Sequence, residues 1–249
     1  MAVSDFIINS YESTIGLDQI HVSEENQNSL NQLLKEYKHL AILSHYNLPV
    51  ANKIFLFGHT GCGKTTTAKA IAKALNKKII ILNLGNIVSS RLGETARNIT
   101  EVFSKAAREN AVLLLDEFDS IGKFRDHDAK DSAEMKRLVN TVIQLIDELP
   151  SHAFLIAATN HSQVIDTALL RRFQLKLKFE LPTPKQLDTY YDSLLNPFPE
   201  EFRSVERTYN ISYAEAKDIT LRAVKNNIIA SEEVKNSSNV FENTDGSIT

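Results

Sequence analysis

KIFLFGHTGCGKTTTAKAIAKAL, residues 53–75, decides the fold of this chain. KIFLF at 53–57 is an apolar run of the length and continuity of a strand covered on both faces. GHTGCGKT at 58–65 matches G-x-x-x-x-G-K-[ST] at every fixed position, and an amphipathic helical pattern begins inside it. Strand, glycine-rich turn and helix in that order form a phosphate-binding loop. The glycines let backbone N–H groups of residues 61–65 turn inward around an anion. The helix N-terminus adds its partial positive charge. The reading therefore assigns Gly58, Gly61, Cys62, Gly63, Lys64, Thr65 and Thr66 to nucleotide phosphates. Lys64 would bridge the β- and γ-phosphates of ATP, and the Thr65 hydroxyl would coordinate Mg2+. Cys62 reads either as a redox-sensitive thiol at a helix N-terminus or as a small side chain in a tolerant position.

Outward from this loop, short apolar runs alternate with helical patterns. The further runs are IIIL (79–82), AVLLL (111–115), AFLIAA (153–158) and QLKLKFE (174–180). The last alternates apolar with polar residues and predicts an edge strand. Helical segments are expected at 64–75, 94–108 and 134–149, the last with Met135, Leu138, Val139, Val142, Ile143, Ile146 and Leu149 on one stripe. Such alternation predicts an α/β fold: a five-stranded parallel sheet between two layers of helices. Before it, residues 1–47 read as a short N-terminal region with one amphipathic helix running from Leu30 to about Asn47. The core would span 48–182. After Pro182 and Pro184 the pattern becomes helical only, predicting a small α-helical lid over 183–230 and a mobile polar tail over 231–249.

AVLLLDEFD at 111–119 brings two acidic residues to the C-terminal end of a buried strand, the edge at which open parallel sheets bind ligands. Asp116 is expected to hold Mg2+ through its waters. Glu117 is expected to orient the attacking water as a base, with Asp119 as the alternative carboxylate.

Composition bounds the rest. Hydrophobic residues make up 43% and charged residues 24% of 249, an ordinary globular balance, and the net charge of −3 gives no bulk attraction for nucleic acid. Cys62 is the one cysteine, which precludes an intrachain disulfide and suits a reducing compartment. No run approaches the roughly 18 apolar residues of a membrane span. With no secretion signal legible at the start, the expected location is cytoplasmic.

The loop followed by LLLDEFD resembles the AAA+ ATPase superfamily. Two further segments sharpen the likeness: LIAATN (155–160) resembles its sensor 1 strand, and DTALLRRF (166–173) its arginine-finger segment. The resemblance covers about residues 30–230. Through LGETARN (92–98), MKRLVN (135–140) and AATNH (157–161) it comes nearest to single-module bacterial ATPases of the classical AAA clade, some of which are encoded beside proteases. It implies that Asn160 helps Glu117 hold the attacking water. It also implies that Arg171 or Arg172 reaches into a neighbouring subunit of a ring, a hexamer. Arg172 is the favoured finger, because it directly precedes the strand and is held by Phe173.

SSRLGE at 89–94 departs from the pattern: Arg91 stands where threading relatives carry a pore aromatic, while Leu92 is kept. Arg91 and Leu92 are thus candidate central-pore residues with an altered grip. The implied function is ATP-driven remodelling of a protein client. An ATP-dependent assembly switch and a DNA-associated motor stay open.

Overall fold

A computed structural model of the protein describes residues 7–88, 92–121 and 129–242. Five strands coincide with the five apolar runs: β2 (Lys53–Gly58), β3 (Lys78–Asn83), β4 (Val112–Asp116), β5 (Phe154–Thr159) and β6 (Leu175–Phe179). They pair in parallel in the order β3-β4-β5-β2-β6, and β6 lies at an edge as its alternation requires. Leu177 and Phe179 of β6 are buried, whereas Lys176 and Lys178 face solvent.

A sixth strand, β1 (Ile7–Glu12), pairs antiparallel with β3 at the opposite edge. The sequence reading found no periodic signal in residues 1–25. IINSYE mixes polar and apolar residues without alternation, and its place in the sheet is fixed by pairing to β3.

Helices cover both faces. On one side α1 (Glu24–Lys38) and α3 (Lys64–Ala74) pack Leu30, Leu33, Ala68 and Ile71 against Ile54, Leu56, Ile156 and Ala158. On the other, α5 (Leu92–Arg108) and α6 (Ala129–Asp147) pack Ile99, Val102, Leu138 and Val142 against Phe55, Leu113, Leu115 and Leu155. Alternate residues of β2, β3, β4 and β5 thus enter opposite cores, which is why those runs are continuously apolar.

The N-terminal region holds α1 and a short α2 (Leu40–His45). Ser23 caps α1, and Asn26 Nδ2 donates to Lys178 O at 2.7 Å, occupying an outward carbonyl of the edge strand β6. Between β3 and α5 runs the short α4 (Leu84–Val88). Leu92 opens α5. Arg91, the other proposed pore residue, lies outside the described residues.

The chain divides into two compact units, Met1–Glu180 and Leu181–Thr249. The second is helical: α8 (Pro184–Leu195) and α9 (Tyr213–Glu242) enclose Leu187, Tyr191 and Ala216. A capping box of Thr183 and Gln186, with Pro184 in the first turn, starts α8. Arg207 bonds Asp188 and Asp192 across the turn that returns the chain. The Tyr191 hydroxyl donates to Thr208 O at 2.8 Å. Helix α9 continues past Ser231 to Glu242, where the sequence reading ended it at 230. Once a helix is nucleated, each added residue costs little, so even a polar Asn/Ser segment extends it.

Candidate nucleotide site

The first unit brings the C-terminal ends of β2, β4 and β5 side by side: the loop leading to Lys64 and Thr65 follows β2, Asp116 and Glu117 lie at the end of β4, and Asn160 follows β5. Gly58, Gly61 and Gly63 adopt φ of 127°, 73° and 97°, a conformation that side-chain-bearing residues rarely take. At Gly58 the reason is local as well. A Cβ there would sit 2.0 Å from Phe179 O, so the first loop glycine is needed for β2 to lie against β6. Gly63 is the N-cap of α3 and supplies no capping side chain. The first amides of α3 therefore have no side-chain cap, which suits an anion.

Lys64 is 8% exposed. Its ammonium donates to Gly58 O at 2.8 Å and His59 O at 2.7 Å, so the loop's own carbonyls hold it. Burial pushes its pKa down, and the charges of Cys62, Asp116 and Asp119 oppose that fall. An arriving phosphate would replace two neutral acceptors by ionised oxygens, strengthening each bond.

Thr65 Oγ1 donates to Asp116 Oδ2 at 3.0 Å. These are the two side chains assigned to magnesium, and the structure sets them in contact. A hydroxyl beside a carboxylate is a hard-oxygen donor pair, which fits Mg2+ completed by waters and phosphate oxygens. Cys62 is buried in the α1/α3 core, with its thiol 3.7 Å from Thr60 O. Thr66 lies on the first turn of α3.

Beyond Asp116 the backbone turns sharply. Glu117 takes φ of 53°, left-handed for a non-glycine residue, and its N–H donates to Asp116 Oδ1 at 2.9 Å. Its exposed carboxylate lies over Gly85: a Cβ on Gly85 would stand 2.1 Å from Glu117 Oε2. Asp119 points inward instead, 3% exposed, and accepts a hydrogen bond from Thr159. Asn160 follows directly at the exposed tip of β5.

The two candidate finger arginines part company. Arg172 donates to Ala168 O at 2.8 Å and pairs with both oxygens of Asp147 at 3.4 Å. Arg171 is exposed, and although its backbone N–H donates to Thr167 O, its side chain makes no hydrogen bond or ion pair with a described residue. Sequence reasoning favoured Arg172 for its rigidity, and it missed Asp147, the source of that rigidity. It also missed the Asp119–Thr159 bond and the place of Gly85 beneath Glu117. None of these lies in a linear motif.

Comparison with known proteins meets the same constellation. Residues 54–181, about half of the chain, match the ATPase family associated with various cellular activities (AAA). An uncharacterized AAA family ATPase of Sinorhizobium fredii is 32% identical over 231 residues, covering 92% of this chain and 69% of the relative. A ribosome biogenesis ATPase of Saccharomyces cerevisiae is 32% identical over 200 residues, 73% of this chain and 24% of the relative. A 26S proteasome regulatory subunit 8 homolog of Encephalitozoon cuniculi is 32% identical over 154 residues, 60% of this chain and 39% of the relative. The chain thus spans about two thirds of the first relative and well under half of the other two. It belongs to the AAA ATPase family, and it binds and hydrolyses ATP. Among the described residues no helix is long and apolar enough to cross a membrane.

Proposed function

We propose that the chain is one subunit of a ring, a hexamer, in which ATP hydrolysis remodels a protein client. Lys64 leaves the Gly58 and His59 carbonyls to take the β- and γ-phosphates. Thr65 and Asp116 would hold Mg2+, which would offset the charge of the phosphates. Glu117 accepts a proton from the attacking water, and Asn160 helps hold that water. The water oxygen bonds to the γ-phosphorus as the bond to the β-phosphate oxygen breaks, releasing ADP and inorganic phosphate. Charge on the transferred group calls for a further cation beside Lys64.

The observation that carries the ring is the contrast within the arginine pair. Arg172 is tied to Asp147 and Ala168, whereas Arg171 stands exposed and untied just beyond α7 (Thr167–Leu170). Arg171 is therefore the finger offered to a neighbouring subunit, and Arg172 stiffens the turn from which it projects. Remodelling of a protein client is supported by the relatives named for ribosome biogenesis and the proteasome. A protease partner and a pore formed by Arg91 and Leu92 are carried by resemblance alone, and a cytoplasmic location by the cysteine content.

Two individually inactive proteins test the ring. Arg171→Ala should bind ATP and lose hydrolysis by about 10³-fold or more, the worth of a finger in trans. Lys64→Ala loses its own site but keeps its arginine. Mixing them should restore turnover at Arg171→Ala sites flanked by Lys64→Ala subunits. Subunit exchange without recovered activity would refute trans completion.

A further inference from the structure

Asp119 is an acid that no binding or hydrolytic role absorbs, and it is 3% exposed. Thr159 Oγ1 donates to its Oδ1 at 2.7 Å inside the protein. The Thr159 hydroxyl oxygen in turn accepts the His161 N–H at 3.0 Å. Asn160 therefore lies between Thr159, which bonds the carboxylate, and His161, which bonds the Thr159 hydroxyl. On the β4 side, Ser120 N–H donates to Glu117 O at 2.9 Å, closing the short 3-10 turn Phe118–Ile121 that carries Asp119. The turn closed on Glu117 thus carries the carboxylate to which the tip bearing Asn160 is hydrogen-bonded.

We propose that Asp119 and Thr159 form a positioning clamp that fixes Glu117 and Asn160 relative to each other for the hydrolytic step. Asp119 acts through Thr159 and is not itself the base: it is buried, and its oxygen is occupied by the hydroxyl. Each residue type suits the task. A hydroxyl donating to an ionised carboxylate makes a short, charge-assisted bond that resists stretching. Threonine is β-branched and stiff about χ1, so its hydroxyl stays where the strand puts it. The clamp rests on the proposed roles of Glu117 and Asn160, and it adds two residues that no phosphate or metal contact explains.

The test separates positioning from stability and from nucleotide binding. Thr159→Val keeps the shape and removes the hydroxyl, while Thr159→Ser keeps the hydroxyl. The valine variant should bind ATP as wild type does by calorimetry yet lose about 10–100-fold in kcat, the usual cost of misplacing a reacting group by a fraction of an ångström to one ångström. Serine should recover most of that loss. Should Thr159→Val fail to fold, Asp119→Asn serves in its place: the amide keeps an acceptor without charge assistance, and the same split between kcat and affinity is expected. A folded variant of either kind with wild-type kcat overturns the clamp, as does parallel loss of affinity and kcat. Glu117→Gln runs alongside. If it turns over like wild type, the assignment of Glu117 has failed, whereas the clamp is judged by Thr159→Val against Thr159→Ser.

Discussion

Thr67 shows how closely function and stability compete within one helical turn. Three threonines follow Lys64, and each meets a different fate. The Thr65 hydroxyl faces Asp116, Thr66 is half-buried, and Thr67 is fully buried with its hydroxyl lacking a hydrogen-bond partner. An unsatisfied buried hydroxyl costs free energy that an apolar group of the same shape does not. Thr67→Val should therefore stabilise the protein by about 1 kcal/mol. Urea unfolding would show a higher midpoint at unchanged slope, with ATP affinity intact; a lower midpoint would mean that the hydroxyl is satisfied in solution. Glu117 carries the opposite compromise. Its left-handed φ costs roughly 1–3 kcal/mol, tolerated because that turn sends Glu117 outward and Asp119, two residues on, inward.

At the scale of elements, the far end of the sheet is held by one lysine. Helices α3 and α5 both end with a left-handed asparagine, Asn76 and Asn110. Their closing bonds follow one pattern: Lys77 N–H to Ala72 O and Ala111 N–H to Ala106 O, both 2.9 Å. Lys77 then reaches across, its ammonium donating to the carbonyl and side-chain oxygens of Asn110 and to His152 O, over the rings of Tyr37 and Phe154. Burial pushes its pKa down. Lys77→Met fills similar space but strands these acceptors, so it should cost about 1–3 kcal/mol. The loss reads as a lower denaturation midpoint with unchanged ATP affinity, because Lys77 follows the end of α3 remote from the phosphate loop. A variant as stable as wild type would refute the staple.

The same elements explain what the sequence could reveal. The parallel strands were legible because two cores make them continuously apolar, and the loop and Asp-Glu pair because each is contiguous. Strand β1 has neither signal. Asp147 and Arg172 lie 25 residues apart, and Asp119 and Thr159 lie 40 apart; only packing and the adjacency of β4 and β5 bring them together. No periodicity marks such pairs.

For the whole molecule, assembly should follow nucleotide. Glu117→Gln keeps the phosphate loop and slows hydrolysis, so ATP should drive it to a larger species by light scattering at roughly ten micromolar. A monomer with ATP bound would count against the ring. The sheet itself constrains how subunits can meet. The outward carbonyl of Lys178 on β6 is taken by Asn26, and the free side of β3 is covered by β1. At the opposite edge lies β1, whose register shifts between Ile7 and Ser10. An irregular ribbon is a poor template for a foreign strand. Neighbours are thus steered away from fusing into one extended β-structure, the route by which exposed sheets turn reversible contact into permanent aggregate. Contacts made through side chains alone can be formed and released with each nucleotide.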